Sequence, residues 1–371
     1  MFRRYLLFVI VLVSVPGFAQ ASSANNIQPD TKAAVVAASV PAIPGNPNKL
    51  MLLGAQLNGL APDMKPWHLR ANFQTFDADG RPKDQGVFEE WWDASEKWKV
   101  SYAGKEFNQV MYRNGDMGTR KMTGDSGWIP VQYRIAIHTL YEDFATKKSI
   151  EKANLRAADR KLGAVDLHCV GPLRVAPELM ASEDIAGNPM LAFRGSSGVP
   201  TVCFNPDSAV VRVVVYDNGF SMIFDNVVRV DGRYIARDIW LRNGSLPLAH
   251  LTVSAIETLA KIEDSEFTAP ASAVPVPAER YNSEVKEGRR TGGEVPIYPP
   301  LANSKSIQGR VVLEATITST GDITDVQAIS GPKELRQSAL DAVKTWKYKP
   351  YSLNGKPVEM RTAINIIYTM R

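Results

Sequence analysis

The feature that most constrains this chain is the pattern of apolar residues in its last seventy or so positions. Arg310–Thr318 alternates between apolar and polar side chains, which predicts a half-buried strand. Ser319–Asp322 supplies turn residues, so Ile323–Ser330 is expected to return as the second strand of a hairpin. The next apolar residues recur at intervals of three or four, which predicts a helix over Lys333–Thr345 with this stripe: Leu335, Ala339, Ala342 and Trp346.

A final strand completes this unit. Asn354–Pro357 is a predicted turn, and it leads into Met360–Met370, where successive side chains again alternate. The order of elements is therefore ββαβ. The sequence predicts a small α+β domain at residues 295–371, preceded by other parts of the chain.

Short motifs accompany this pattern, and their key residues are Tyr298, Pro299, Gly309, Gly321, Trp346, Tyr348 and Pro350. With the run Trp-Lys-Tyr-Lys-Pro at 346–350, they resemble the C-terminal domain of TonB, the energy transducer of Gram-negative envelopes. The resemblance spans about Glu294–Arg371, roughly a fifth of the chain. It implies the fold of that family for this segment.

The resemblance also implies a binding edge. In the TonB family the terminal strand accepts an extended peptide, the TonB box of an outer-membrane transporter. Strand addition suits such an edge because its unpaired N–H and C=O groups bind another backbone with little dependence on side chains. Carried over, the accepting edge consists of Thr362, Ala363, Ile364, Asn365, Ile366, Ile367, Tyr368 and Thr369. The alternative is a small domain of helix on sheet that binds no peptide.

The N-terminus has the form of an export signal. Arg3 and Arg4 precede an apolar run, Tyr5–Val15, and the small residues Ala19 and Ala21 follow. We therefore expect a signal peptide over residues 1–21, cleaved before Ser22, and a periplasmic protein. If the segment is retained instead, it becomes an inner-membrane anchor, and the resemblance to TonB then implies a proton-channel complex of that membrane as a partner.

Two segments have the composition of linkers. Residues 22–49 are rich in Ala, Ser, Asn and Pro, and residues 270–294 combine Pro, Gly and charged residues. Between them, residues 50–269 form a middle domain that is too large for a spacer. Its short runs of aromatic and β-branched residues, separated by Gly, Asn and Asp turns, predict an antiparallel meander. Pro130–Ala145 interrupts the meander with helical spacing, so one helix should cross the sheet.

This order of strands, one helix and more strands resembles the incomplete barrels of periplasmic lipoprotein carriers such as LolA. The resemblance implies a half-barrel whose concave face takes a lipid or another apolar ligand. A plain curved sheet closed by its helix fits the same pattern.

Cys169 and Cys203 are the only cysteines. In an oxidising compartment such a pair favours a disulfide, and closing a loop of about 35 residues stabilises the fold by about 3 to 4 kcal/mol in the chain-entropy model. Two separately buried thiols are the alternative.

The chain lacks the motifs of catalysis. Gly124–Gly127 resembles the nucleophile segment of chymotrypsin-like proteases, but Trp128 stands where a further Gly is expected, so a hairpin turn is predicted. The histidines lie at no metal-ligand spacing: His68, His138, His168 and His250. A formal charge of +4 gives no indication of nucleic-acid binding. We expect a protein that is not an enzyme and has no cofactor.

Two functions remain open at this stage. The first is a TonB-like envelope protein that captures the peptide of an outer-membrane transporter and supports energised transport. The second is a soluble periplasmic carrier of a lipid or other apolar ligand, in which the C-terminal domain only docks partners.

Overall fold

The computed structural model describes residues 42–94, 97–115, 120–125, 129–141, 145–172, 199–216, 220–276, 285–286, 289–353 and 356–370. The predicted signal peptide and most of the first predicted linker lie outside these residues. No helix in these ranges combines the length and apolarity that crossing a bilayer requires.

Among the described residues, thirteen strands form one large sheet, and all but the last of them lie within residues 50–269. The first five strands lie before residue 125, and their bounds are β1 Trp67–Phe76, β2 Pro82–Ala94, β3 Lys97–Ala103, β4 Asn108–Asn114 and β5 Arg120–Gly124. The others are β6 Arg156–Leu162, β7 Val165–Gly171, β8 Thr201–Phe204, β9 Val211–Val215, β10 Phe220–Val230, β11 Arg233–Asn243, β12 Leu246–Thr258 and β13 Val274–Val276. These bounds follow the alternation of the sequence closely.

The sheet is antiparallel and open. Its strand order is β13-β5-β4-β3-β2-β1-β12-β11-β10-β9-β8-β7-β6, so the pairing of β1 with β12 joins its two halves. Short turns join most sequential strands, which is why sequential strands are usually neighbours. β13 and β6 are the two edges among the described strands, and the sheet does not close into a barrel there.

Three helices pack on this sheet: α1 Pro47–Leu57, α2 Val131–His138 and α3 Lys147–Lys152. They supply Leu50, Tyr133 and Ile150 to its buried cores. The helical spacing in Pro130–Ala145 predicted α2, which in the structure ends at His138, whereas α1 and α3 were not predicted. Asn46 caps α1, accepting a hydrogen bond from the Lys49 amide at 3.0 Å, and Pro47 follows the cap. These residues signal a helix start that the Pro-rich composition concealed.

The C-terminal domain contains α4 Pro300–Ser304, β16 Gly309–Ile317, β17 Ile323–Ser330, α5 Lys333–Lys344 and β21 Met360–Tyr368. Its main sheet has the order β17-β16-β21. Three short strands, β18 Lys347–Lys349, β19 Tyr351–Leu353 and β20 Lys356–Val358, lie between α5 and β21. The predicted order ββαβ is therefore incomplete.

The second predicted linker contributes strands in its described parts. β13 pairs with β5 at the edge of the large sheet, β14 Val285–Lys286 pairs with β19, and β15 Arg289–Gly292 pairs with β18. The described parts of residues 270–294 thus pair with the large sheet and with two small sheets of the C-terminal domain, because their backbone groups find partners that composition does not reveal.

The C-terminal domain is also packed against the middle domain. Val312 and Ile329 belong to the same buried apolar cluster as Leu241, Leu248 and Ala249. At one margin of this contact, the Asn243 amide donates to the Ser330 hydroxyl at 2.5 Å. The chain from Pro41 onward is thus one compact unit.

Arg336, near the start of α5, also joins the C-terminal domain to the middle domain. Its guanidinium donates to the Asp79 carboxylate at 2.6 Å, the Ala78 carbonyl at 2.5 Å and the Gly331 carbonyl at 2.7 Å. Ala78 and Asp79 lie in the turn between β1 and β2. The hydrogen bond and charge of Arg336 lower the pKa of Asp79.

Candidate partner-binding site

Strand β21 lies at one edge of the C-terminal sheet. It pairs with β16 in an unbroken register from Met360 opposite Ile317 to Tyr368 opposite Gly309. Among the described residues no strand pairs with its other side. The predicted edge residues 362–368 lie within β21, and Thr369 follows it directly.

The opposite edge of the sheet is less regular. β17 shifts register twice against β16, and Asp325 within it has a positive φ of 50°. Bulges of this kind twist an edge and interrupt its ladder of backbone groups. β21 therefore offers the more regular row of groups for a further strand.

The side chains of β21 alternate between two faces. The helix face, which packs with α5, consists of Thr362, Ile364, Ile366 and Tyr368, and the last three of these are buried in one cluster with Leu335 and Val343. Tyr368 donates to the Ser338 hydroxyl of α5 at 3.1 Å. Burial, offset in part by that contact with Ser338, raises the pKa of Tyr368.

The outer face of β21 consists of Arg361, Ala363, Asn365 and Ile367, and on β16 it continues through Val312, Glu314 and Thr316. The sequence predicted a half-buried β16, yet Glu314 is only 3% exposed and Thr316 only 6%. The difference arises because the middle domain covers this face. Glu314 is compensated by Arg361, whose Nε lies 3.0 Å from it, and by the Gln327 amide at 2.8 Å.

The motif residues Trp346 and Tyr298 hold parts of the C-terminal domain together. The indole N–H of Trp346 donates to the Glu294 carbonyl at 2.8 Å, and the Arg290 guanidinium stacks on the same ring at 4.0 Å. Tyr298 donates to the Ile307 carbonyl at 2.6 Å, and its ring meets Tyr368 edge to face. These contacts anchor the segment before β16 to the helix and the terminal strand.

The remaining motif residues shape the backbone. Gly321 has a φ of 89°, and a side chain there would collide with the Tyr348 carbonyl oxygen. The Tyr348 amide in turn donates to the Gly321 carbonyl at 2.9 Å, and burial raises the pKa of Tyr348 to about 12. Pro299 is the N-cap of α4, Gly309 begins β16, and Pro350 follows β18.

A second candidate site is an apolar cavity between α2 and strands β9 to β11. It is lined mainly by apolar side chains, including Val211, Val214, Met222, Phe224, Ile235 and Ile239. Asn58, His138, Tyr141 and Tyr234 add polar groups. The cavity holds about 50 Å³, room for about one or two water molecules, so an acyl chain requires the helix or strands to move.

Cys169 and Cys203 form a disulfide between β7 and β8. Both sulfur-bearing residues are fully buried among Leu167, Val213 and Val215. The bond closes a loop of the middle domain and lies in a different domain from β21.

The candidate catalytic and metal residues are dispersed. His68, His168 and His250 each pair with a carboxylate on a neighbouring strand, Glu89, Asp159 and Asp238 respectively. The described residues hold no group of three or more His, Cys, Asp or Glu side chains placed for a metal ion. Asp125 accepts a hydrogen bond from the Asn108 amide at 2.7 Å, as in a hairpin, and Ser126–Trp128 lies outside the described residues.

The C-terminal domain is similar to known proteins. Residues 294–370 match the family described as the Gram-negative bacterial TonB protein C-terminal. Protein TonB of Vibrio cholerae is 38% identical over 77 residues, which are 20% of this chain and 32% of that protein. Protein TonB of Xanthomonas campestris is 29% identical over 77 residues, covering 20% of this chain and 34% of the relative.

Two solved structures are similar to parts of the chain. A LolA superfamily protein from Nitrosomonas europaea is 10% identical with a TM-score of 0.35, covering 60% of this chain and 96% of its own. The TonB C-terminal domain of Pseudomonas aeruginosa is 24% identical with a TM-score of 0.21, covering 24% of this chain and 97% of its own. The chain spans about a third of the length of the curated relatives it matches. Residues 294–370 thus match the TonB C-terminal family, as their motif residues predicted.

Proposed function

We propose that this protein acts in the cell envelope, where β21 captures an extended peptide of an outer-membrane transporter by strand addition and so supports energised transport. The observation that supports this most directly is the regular, unpaired edge of β21 within a domain that matches the TonB family. A peptide pairing with nine successive residues gains a ladder of backbone hydrogen bonds.

The N-terminal segment decides how the protein would act. If residues 1–21 are removed, the protein is periplasmic. If they are retained, they anchor it in the inner membrane, and a proton-channel complex there becomes the expected partner. Sequencing the mature N-terminus distinguishes these cases: a start at Ser22 indicates cleavage.

Site-directed cross-linking tests the edge. Both native cysteines are bonded to each other, so Ile367→Cys introduces the only free thiol. The probes are peptides from the N-terminal segment of an outer-membrane transporter of the same organism, each with one cysteine activated as a thiopyridyl disulfide. The peptides differ in the position of that cysteine. We expect Ile367→Cys to react about tenfold faster with the peptide whose cysteine lies next to position 367 than with the others, because binding raises the effective concentration.

Thr324→Cys is the matched control, since Thr324 is exposed on β17 at the opposite edge. Thr324→Cys should react slowly, and at the same rate with every peptide, wherever the cysteine of the peptide lies. Register-specific reaction at Thr324→Cys alone, or at neither position, contradicts capture by β21.

The cavity supports a second function, a carrier of a lipid or other apolar ligand. Its mainly apolar lining, which also includes a few polar groups, suits a ligand with one polar end. Native mass spectrometry after incubation with extracted envelope lipids tests this idea. We expect a lipid adduct that Val214→Phe removes by filling the cavity. A wild-type protein without adducts contradicts the carrier function.

A further inference from the structure

The outer face of β21 differs from its helix face in what covers it. α5 covers the helix face, whereas the middle domain covers the outer face. The apolar cluster that includes Leu241 and Leu248 extends over β17 through Ile329, over β16 through Val312, and onto β21 through Ala363. The middle domain therefore reaches the strand that carries the free edge.

The part of the outer face that the middle domain covers ends within β21. The side-chain oxygen of Asn365 is buried and has no hydrogen-bond partner in the described residues. Two residues further on, Ile367 is 59% exposed. An unsatisfied buried acceptor and an exposed apolar side chain thus lie side by side on the outer face.

An added strand would run about 4.8 Å beyond β21, with its own side chains on the same two faces. Cross-strand neighbours on one face have Cβ atoms about 5 Å apart, within reach of a hydroxyl or amide. A donor side chain opposite Asn365 would satisfy its oxygen, and an apolar side chain opposite Ile367 would remove that residue from water.

We propose that the peptide captured at β21 is selected on the outer face: it carries a hydrogen-bond donor side chain opposite Asn365 and, two residues away, an apolar side chain opposite Ile367. The partner is a strand with the pattern donor-x-apolar, read in either direction. The peptide position opposite Ala363, which lies on the other side of the donor from the apolar residue, requires a small side chain because Ala363 packs against the middle domain. This inference rests on the proposed capture of a strand by β21.

Fluorescein-labelled peptides of the same length as β21 test the pattern with the full chain. The parent probe carries Thr-x-Ile on one face. One derivative replaces Thr with Val, which has the same shape but no donor, and another replaces Ile with Ser. Fluorescence polarisation should show that each replacement weakens binding about tenfold.

Variants of the protein assign these losses to single residues. In Asn365→Leu the Thr and Val probes should bind alike, whereas Asn365→Asp, which keeps an acceptor, should retain the preference for Thr. In Ile367→Ser the Ile and Ser probes should bind alike. Asp325→Asn on β17 is the control, and it should retain both preferences. Thermal melts verify that each variant is folded.

The two proposals fail in different ways. If the wild type binds the parent and both derivatives equally, and Ile367→Cys still cross-links, capture at β21 stands and selection on the outer face is wrong. If the wild type binds no probe and no transporter peptide cross-links, capture itself is wrong, and the inference falls with it. Preferences that persist in both Asn365→Leu and Ile367→Ser also overturn the inference.

Discussion

Strand β16 is buried on both its helix face and its outer face from Val311 to Ile317, but the compositions of the two faces differ. The helix face of β16 carries Val311, Leu313 and Ala315, and it packs on α5 within the same domain. The outer face carries Val312 and the polar residues Glu314 and Thr316, and it is buried by another domain. A polar strand face thus indicates solvent only when no other domain covers it. When another domain buries such a face, its charged side chains need ion pairs such as that of Glu314 with Arg361, because an uncompensated buried charge is costly.

The largest effect should come from the helix face. Leu335 is fully buried between α5 and the sheet, so Leu335→Ala removes apolar contacts and leaves a cavity. We expect the free energy of unfolding to fall by about 3 to 4 kcal/mol. Urea denaturation measures it. A loss below about 1 kcal/mol contradicts the packing of α5 described above.

The ion pair of the outer face should give the next effect. Arg361→Leu removes the guanidinium whose Nε lies 3.0 Å from the buried carboxylate of Glu314. We expect a loss of about 3 kcal/mol in the free energy of unfolding. The double variant Glu314→Leu/Arg361→Leu should recover most of this loss, because it removes the buried carboxylate together with the guanidinium that pairs with it. If the double variant is as unstable as the single one, charge compensation is not the reason.

Two adjacent valines allow the helix face and the outer face of β16 to be compared directly. Val311 and Val312 are adjacent and both fully buried, one facing α5 and the other the middle domain. We expect Val311→Ala and Val312→Ala to lower the free energy of unfolding by similar amounts, about 2 kcal/mol each. If Val312→Ala costs less than about 0.5 kcal/mol, as exposed substitutions do, the outer face is open in solution.

The smallest effect should be a pH dependence at Asp79. Arg336 lowers the pKa of Asp79 in the folded protein, so the contact contributes stability above the unfolded value of about 3.9. That contribution is lost as the pH falls through the lowered pKa. The melting temperature of the wild type should exceed that of Asp79→Asn at pH 6, and the difference should shrink below about pH 4. Asp325→Asn, away from Arg336, should show no such trend.

Much of the fold was predictable from local pattern. The turns and alternation of the middle domain predicted most of its strands, since hairpin neighbours are close in sequence. The stripe of Leu335, Ala339 and Ala342 predicted α5 and its buried face. The helices α1 and α3 and the strands of residues 270–294 were missed, because their partners are distant in sequence and their Pro-rich or charged composition is typical of linkers.

The site was predictable only in part. The edge residues 362–369 came from a resemblance, and alternation separated the two faces of the strand. The roles of Asn365 and Ile367 had no signal in the sequence. They depend on where the middle domain stops covering β21, and only tertiary packing sets that position.

By itself, the sequence determined most strands of the middle domain, the strands β16, β17 and β21, the helix α5 and the family that the C-terminal domain matches, because these follow from short periodicities and from motif residues within one segment. The tertiary structure alone decided that the outer face is buried, that Arg336 meets Asp79, and that one edge is more regular than the other. These features arise from contacts between residues up to 258 positions apart, which no local pattern encodes.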